Sequence, residues 1–338
     1  MEQINKQNKI GIFGGSFNPP HLGHINAATT VLKKLGLDEV IIIPAFQNPL
    51  KSPVEGASPE DRLEMTKLAF ESYGTSFTVD DREILKKGKS YTIETINELK
   101  SENPEHSYHL IVGMDTFESI GLWKDYEKIL ENVNLVVVTR PGSQIPNGID
   151  ELPEKIKSLV AIYDFNTVDL NTGKSIQFIN LNDIEVSGSD LRKKIRSERN
   201  TEKFLPLAVE KYINDKNLYR ALKTKLGDFD KFTQFCKNFL DSKKSINTKV
   251  FNLSEIQAPS EYAIITSGTS TRHAVSLAEN LVQAVKDEYG VYPQGIEGVQ
   301  EGRWVLVDYG SLIVHVFYDF VRQEYQLEKL WKAGKELI

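Results

Sequence analysis

Two histidines, His21 and His24, stand three residues apart behind the string Gly14-Gly15-Ser16-Phe17-Asn18-Pro19-Pro20. Residues three apart share a face of a helix, so both imidazoles can address one ligand. The preceding run Ile10-Gly11-Ile12-Phe13 reads as a short buried strand, which puts the glycines at a strand-to-helix turn. Glycine lets backbone approach a ligand closely, and the N–H groups and positive dipole end of a helix favour an anion there. Strand, glycine turn and paired histidines together describe a phosphate site able to do chemistry. The plainer alternative is a glycine turn whose histidines cap a helix or fill the core. A metal site fits poorly, because no third histidine, cysteine or suitably spaced carboxylate nearby completes a ligand set.

The elements that must position these residues are legible around them. Val40-Ile41-Ile42-Ile43, Tyr108-His109-Leu110-Ile111-Val112 and Leu135-Val136-Val137-Val138 are apolar runs of the kind expected for strands covered on both faces. Pro59 to Glu71 and Thr92 to Ser101 read as helices, the first with Ser58 as N-cap, a proline in the first turn and early acids. Strand–helix alternation from 10 to 218, closed by helical periodicity near Leu205 to Tyr219, predicts an α/β fold with a Rossmann-type parallel sheet. Its ligand then lies beyond the carboxyl ends of the strands, where the histidine motif falls.

With 338 residues, two domains are the natural expectation. The polar stretch Lys223 to Lys231 marks the connection, giving domains at 9–220 and 231–335 with a linker at 221–230. The second domain is predicted to be a smaller α/β unit. Its helices run from about Phe232 to Leu240 and from Thr271 to Tyr289, and its strands include Tyr262–Ile265, Trp304–Asp308 and Leu312–Phe317. No apolar run approaches the roughly 20 residues of a membrane span, and the first nine residues lack the apolar core of a signal peptide. The single Cys236 allows no internal disulfide and fits a reducing cytoplasm. The net charge of −6 is spread evenly: residues 228–338 carry 12 basic against 15 acidic side chains, the rest 29 against 32. Neither half has the basic excess of a DNA-binding protein.

Read as a whole, Gly14 to His24 resembles the signature of the nucleotidyltransferase superfamily. Asp183-Ile184-Glu185-Val186-Ser187-Gly188-Ser189-Asp190-Leu191-Arg192 resembles its second motif, in which Ser187 or Ser189 caps a helix and Arg192 lies one turn inside. Three further stretches narrow the resemblance: Ile43 to Lys51, Ser90 to Thr95, and Val112 to Phe117 continuing to Trp123. Over about 9–220 the chain is similar to nicotinate-nucleotide adenylyltransferases, which join ATP to nicotinate mononucleotide and release pyrophosphate. The resemblance implies a catalytic set of His21, His24, Lys51 and Arg192, with Mg²⁺ accompanying ATP. It implies ATP contacts from Gly14, Gly15, Ser16, Phe17, His21, His24, Gly113, Asp115, Ser187, Ser189 and Arg192. The acceptor would meet Asn48, Lys51, Thr92, Trp123 and Arg140. Where the family usually has Pro-Pro-His-Lys, this chain has Asn48-Pro49-Leu50-Lys51, and Leu50 cannot replace the histidine as a hydrogen-bond donor. Nicotinamide mononucleotide or another phosphorylated acceptor, and a binding protein with an inactive enzyme domain, remain open alternatives.

The second domain has its own glycine loop, Ser267-Gly268-Thr269-Ser270, without a histidine pair or a phosphate-binding lysine. From that loop through Gly298, Trp304 to Gly310, Val314 to Phe317 and Glu324 to Trp331, it resembles the Iojap-like ribosomal silencing factors. The one departure is Glu261-Tyr262-Ala263-Ile264, where an aromatic is lost. The resemblance implies binding to the large ribosomal subunit, blocked subunit joining and repressed translation. An acidic module suits a basic ribosomal protein better than rRNA. Trp304, Tyr309, Tyr325 and Trp331 are candidate anchors, each equally readable as core. His315 alternates with apolar neighbours and reads as a structural histidine. The expected protein is cytoplasmic and bifunctional, and a homo-oligomer is left open.

Overall fold

The computed structural model of the chain describes residues 7–50, 56–139, 144–181, 186–197, 199–220, 226, 228–256 and 258–337. These fall into two units. The first takes in the described residues up to Leu50 and from Ala57 to Lys216, and the second takes in Gly56 and the described residues from Asn217 onward.

The first unit is built on a sheet ordered β3-β2-β1-β4-β5-β8-β7-β6. Its parallel part comprises β1 (Lys9–Gly15), β2 (Glu39–Pro44), β3 (Phe77–Val79), β4 (Ser107–Gly113), β5 (Asn134–Thr139) and β8 (Ser175–Asn180). The Rossmann-type expectation therefore holds for this part of the sheet. The departure is a hairpin, β6 (Val160–Asp164) and β7 (Thr167–Leu170), which joins the β8 edge antiparallel. Its strands are short and β6 is largely exposed, so they carry little of the apolar run that announces the central strands. Strands β1, β4 and β5 are buried along most of their length because helices cover both faces.

Helix α1 (Leu22–Leu35) turns Ile25, Ala27, Ala28 and Val31 inward and ends on Gly36 in the left-handed conformation. Helix α2 (Pro59–Phe70) starts as its sequence predicts, with the Ser58 hydroxyl accepting from the Asp61 N–H. The chain continues through α3 (Arg82–Lys86), α4 (Thr92–Glu102), α5 (Met114–Glu118), α6 (Tyr126–Asn132), α7 (Glu154–Lys157), α8 (Gly188–Arg196) and α9 (Leu207–Asp215). Ile93, Ile96 and Leu99 of α4 pack with Ile10, Ile12, Leu110, Val112, Leu135 and Val137, so one sheet face and α4 share a core. Strand order reverses between β1 and β4, the place where open α/β sheets leave a crevice beyond their strand ends.

The second unit has a sheet ordered β11-β12-β13-β10-β9-β14, in which β10 (Tyr262–Gly268) and β13 (Leu312–Tyr318) are the parallel pair. The others are β9 (Ile246–Asn252), β11 (Gly295–Glu297), β12 (Trp304–Asp308) and β14 (Lys335–Leu337), paired antiparallel. Helices α10 (Phe229–Ser242) and α11 (Thr271–Tyr289) share a core with one sheet face, in which Phe232, Cys236, Leu277 and Leu281 meet Ile264, Val305 and Val314. Burial pushes the Cys236 thiol well above its usual titration range, as fits a packing residue. Helices α12 (Asp319–Tyr325) and α13 (Leu327–Leu330) bring Val321 and Leu327 to a separate cluster with Phe251, Ile265 and Phe317. Helix α10 begins earlier than the periodicity suggests. Asp228 caps it through the Lys231 N–H, so Phe229 and Asp230 are helical rather than linker.

Candidate active site

Beyond β1 and β4 lies a cleft of about 1000 Å³. Gly14, Gly15, Ser16, His21, His24, Gly113, Asp115, Ser187 and Arg192 line one part of it. The His21 backbone is extended, at φ −140 and ψ 170, and serves as N-cap of α1, which makes His24 the third helical residue. The His21 N–H donates to His24 Nδ1 at 3.1 Å. That bond fixes the neutral ring's proton on Nε2, because a nitrogen that accepts cannot carry one. The two rings stack with centroids 3.7 Å apart and planes 26° from parallel. His21 is only 3% exposed, and Phe17 meets His24 edge-on at 5.0 Å. Phe17 is buried at φ 45, a left-handed conformation that a side chain rarely adopts. Gly23 has a steric reason: a Cβ there would stand 3.0 Å from both His21 Nδ1 and Val186 Cγ1.

Helix α8 supplies the cation of this part. Ser187 is its N-cap, accepting from the Asp190 N–H at 3.1 Å and lying 3.1 Å from the Ser189 hydroxyl. Arg192 Nη1 donates to the Asn18 carbonyl at 2.8 Å, so a residue 174 positions away buttresses the opening loop. Backbone N–H groups, two imidazoles and a guanidinium can hold a polyphosphate and offset charge developing on it.

The rest of the cleft has different chemistry. Asn48, Pro49, Leu50, Thr92, Leu110, Met114, Trp123 and Lys124 line it, giving an apolar slot with polar edges. Thr92 opens α4 behind Tyr91, and Lys124 sits over the Tyr91 ring at 4.4 Å while pairing with Glu94 at 2.8 Å. Leu50 is exposed at this edge. Lys51 and Arg140 lie outside the described residues.

Two residues of this region were not singled out in the sequence. Glu83 lines the cleft and accepts from Thr95 Oγ1 at 2.6 Å. Burial holds its carboxyl above the ordinary value, against the opposing hydrogen bonds from Thr95 and Ser90. Arg62 donates to the Ser16 and Phe46 carbonyls at 2.7 and 2.8 Å. A signal for Arg62 existed: it falls on the inward stripe of α2 with Met65, Thr66 and Ala69.

In the second unit the glycine loop runs into the start of α11. Ser270 caps α11, and His273, its third helical residue, accepts through Nδ1 from the Thr269 N–H and donates through Nε2 to the Lys243 carbonyl, both at 3.1 Å. The aromatic candidates divide. Tyr309 is 2% exposed and meets the Phe232 ring edge-on at 5.7 Å; Trp331 is 8% exposed and packs near Phe251 and His315. Both are core, which removes them as docking anchors in this fold. Trp304 is half-buried, stacks on Phe317 at 5.0 Å and donates its indole N–H to His315 Nδ1. Tyr325 is 54% exposed and lies 4.9 Å from Trp304.

The first unit matches the cytidylyltransferase-like family over residues 12–194. A relative from Geobacter sulfurreducens, named a probable nicotinate-nucleotide adenylyltransferase, is 37% identical over 213 residues, covering 62% of this chain and 98% of its own. One of the same name from Trichlorobacter lovleyi is 33% identical over 212 residues, covering 63% of this chain and 99% of its own. The chain belongs to the nicotinate-nucleotide adenylyltransferase family. A solved Plasmodium falciparum nicotinic acid mononucleotide adenylyltransferase in complex with NaAD covers 63% of this chain and 98% of its own, at 18% identity and a TM-score of 0.49. Residues 228–337 match a second family, the ribosomal silencing factor during starvation. The two adenylyltransferase relatives align over almost their whole length and cover about two-thirds of the chain. No described helix is long and apolar enough to cross a membrane.

Proposed function

We propose that the cleft aligns ATP and nicotinate mononucleotide for direct in-line transfer. An acceptor phosphate oxygen attacks the α-phosphorus, the bond from that phosphorus to the bridging oxygen breaks, and pyrophosphate leaves. The acceptor oxygen is already anionic, so no side chain need become a nucleophile. Catalysis is then positioning plus electrostatic stabilisation. The observation that carries this reading is the His21–His24 hydrogen bond, which puts the His24 proton on Nε2 in a ring that lines the cleft. That N–H would donate to the phosphoryl group as charge moves toward the leaving group, with Arg192, Ser187 and Ser189 supporting the polyphosphate and Asp115 accepting from a ribose hydroxyl. Lys51 and Arg140 would add charge on the acceptor side, Asn48 a polar contact, and Thr92 and Trp123 the carboxylate and ring contacts. Among the described residues no cluster of three His, Cys, Asp or Glu could hold a metal ion. Mg²⁺ would arrive on the ATP phosphates and reduce their charge there.

Pyrophosphate release from ATP tests the reading, with nicotinate mononucleotide, its amide and no acceptor compared in parallel. Release with the acid well above the other two is expected. Equal release with the amide would move the acceptor assignment, and none with either would leave only a binding role.

For the second unit we infer that it binds the large ribosomal subunit through a basic ribosomal protein and opposes subunit joining in the cytoplasm. The family match and the unit's acidic balance support this, and the exposed Tyr325 beside Trp304 is the anchor of choice. The full chain should co-sediment with purified large subunits, and Tyr325→Ala should weaken that association. Absence of co-sedimentation would end the inference.

A further inference from the structure

The parallel ladder between β1 and β2 ends where the Ala45 N–H donates to the Gly15 carbonyl at 2.9 Å. One residue further on, both chains leave the sheet. The first becomes the loop from Ser16 to His21, and the second becomes the loop from Phe46 to Leu50. Beyond the ladder their carbonyls turn to one group: Arg62 Nη1 donates to Ser16 O at 2.7 Å, and Nη2 to Phe46 O at 2.8 Å. Arg62 is 6% exposed and sits in the first turns of α2, whose start is held by the Ser58 cap. The same segment reaches the first loop again, because the Ala57 N–H donates to Asn18 Oδ1 at 3.2 Å. The second loop is also pinned from the far side, its Phe46 N–H donating to Ser90 Oγ at 3.0 Å.

We propose that Arg62 is a positioning residue for adenylyl transfer: its planar fork continues the lost ladder and sets the spacing between the loop that holds the ATP phosphates and the loop that meets the acceptor. A guanidinium suits this because its donors diverge in fixed directions from one rigid plane, which a lysine ammonium cannot reproduce. The role rests on the two-substrate reading of the cleft. Each loop can still take its own substrate when the fork is lost, so binding persists while alignment of the reacting atoms suffers. Misplacement of about 1 Å costs about 10²-fold in rate.

The test uses the full chain and two variants, Arg62→Lys, which keeps the charge, and Arg62→Gln, which keeps some donors. Melting temperature, ATP affinity by direct titration, and kcat and KM for each substrate are read for both. The expected result is a fold and ATP affinity close to the parent's, KM changed by less than about threefold, and kcat lowered by about 10²-fold in both variants. Unchanged kcat overturns the proposal. So does a loss confined to KM or ATP affinity, which would make Arg62 a support for binding alone. Failure of both variants to fold also overturns it, since the residue would then serve stability rather than alignment. A parent chain that releases no pyrophosphate with any acceptor overturns the reading of the cleft and this role with it.

Discussion

The two units each place a histidine at the third residue of a helix that follows a strand and a glycine loop, yet they use it differently. In the first unit His24 Nδ1 takes the N–H of His21, and the ring lines a cleft. In the second, His273 Nδ1 takes the N–H of Thr269, and Nε2 donates to Lys243 O. The capping chemistry is the same: a ring nitrogen satisfies a backbone donor at a helix start that has no intrahelical partner. What separates them is the setting of the ring: His24 lines a cleft, whereas His273 bridges two helices. At His273, Nε2 closes a contact between α11 and the end of α10, leaving no donor for a ligand. A histidine at a helix start can serve a ligand site where the fold also makes its ring part of a cleft wall.

The largest expected effect separates the two rings directly. His24→Ala should lower kcat for pyrophosphate release by about 10²- to 10³-fold, the loss associated with one preorganised donor. His273→Ala should leave it at the parent level and lower only the stability of the second unit. Equal effects in a steady-state assay would break the comparison.

A third histidine sharpens it. Burial pulls the titration of His315 down from 6.5 to about 4. The unfolded chain binds this proton near 6.5, more tightly than the folded one does. Its contribution to stability is therefore whole above pH 6.5 and fades as pH falls from there to about 4, by on the order of 3 kcal/mol. His315→Phe should flatten the stability of the second unit over that window, followed by hydrogen exchange at Val314 and Val316. An unaltered slope would assign the pH dependence elsewhere.

Two glycines, one in each unit, should fail in different ways. A Cβ at Gly268 would come 2.6 Å from the Ala274 backbone nitrogen, which cannot step aside. Gly268→Ala should cost the second unit about 1–3 kcal/mol. At Gly23 the clash is with side chains, His21 and Val186, so Gly23→Ala should keep the melting temperature and lose about tenfold in kcat through a displaced His21. The smallest effects belong to the caps. Ser187→Ala and Ser270→Ala each remove one side-chain acceptor at a helix start, worth about 1 kcal/mol, measurable by denaturant titration.

Much of the fold was legible because its central elements are long or strongly patterned. Helix α11 spans Thr271 to Tyr289 as its periodicity indicates, between a serine cap and Gly290 in the left-handed conformation. The central strands appear as apolar runs because both of their faces are covered. Strands β11 and β14 leave no pattern because they are three residues long, and β9 leaves a weak one because polar residues interrupt its apolar ones. The start of α10 is hidden in the sequence because Phe229 stands next to charged residues, and the Asp228 cap shows where the helix begins. Glu83 and Arg62 were overlooked for one shared reason. Charged side chains read as solvated until a tertiary partner shows otherwise.

The sequence by itself determined the local chemistry. It set the glycine turn, the three-residue spacing of His21 and His24, the serine caps and the apolar runs, because each depends on neighbours within about one helical turn or one strand. Tertiary structure decided everything that needs two distant segments. It brought Arg192 to Asn18 and one guanidinium to the Ser16 and Phe46 carbonyls. It sent Tyr309 and Trp331 into the core while leaving Tyr325 outside. It also gave His24 a cleft and His273 a carbonyl. The reason is that chain spacing dictates which residues share a turn, whereas a hydrogen bond between elements depends on how whole layers pack, and no local pattern encodes that distance.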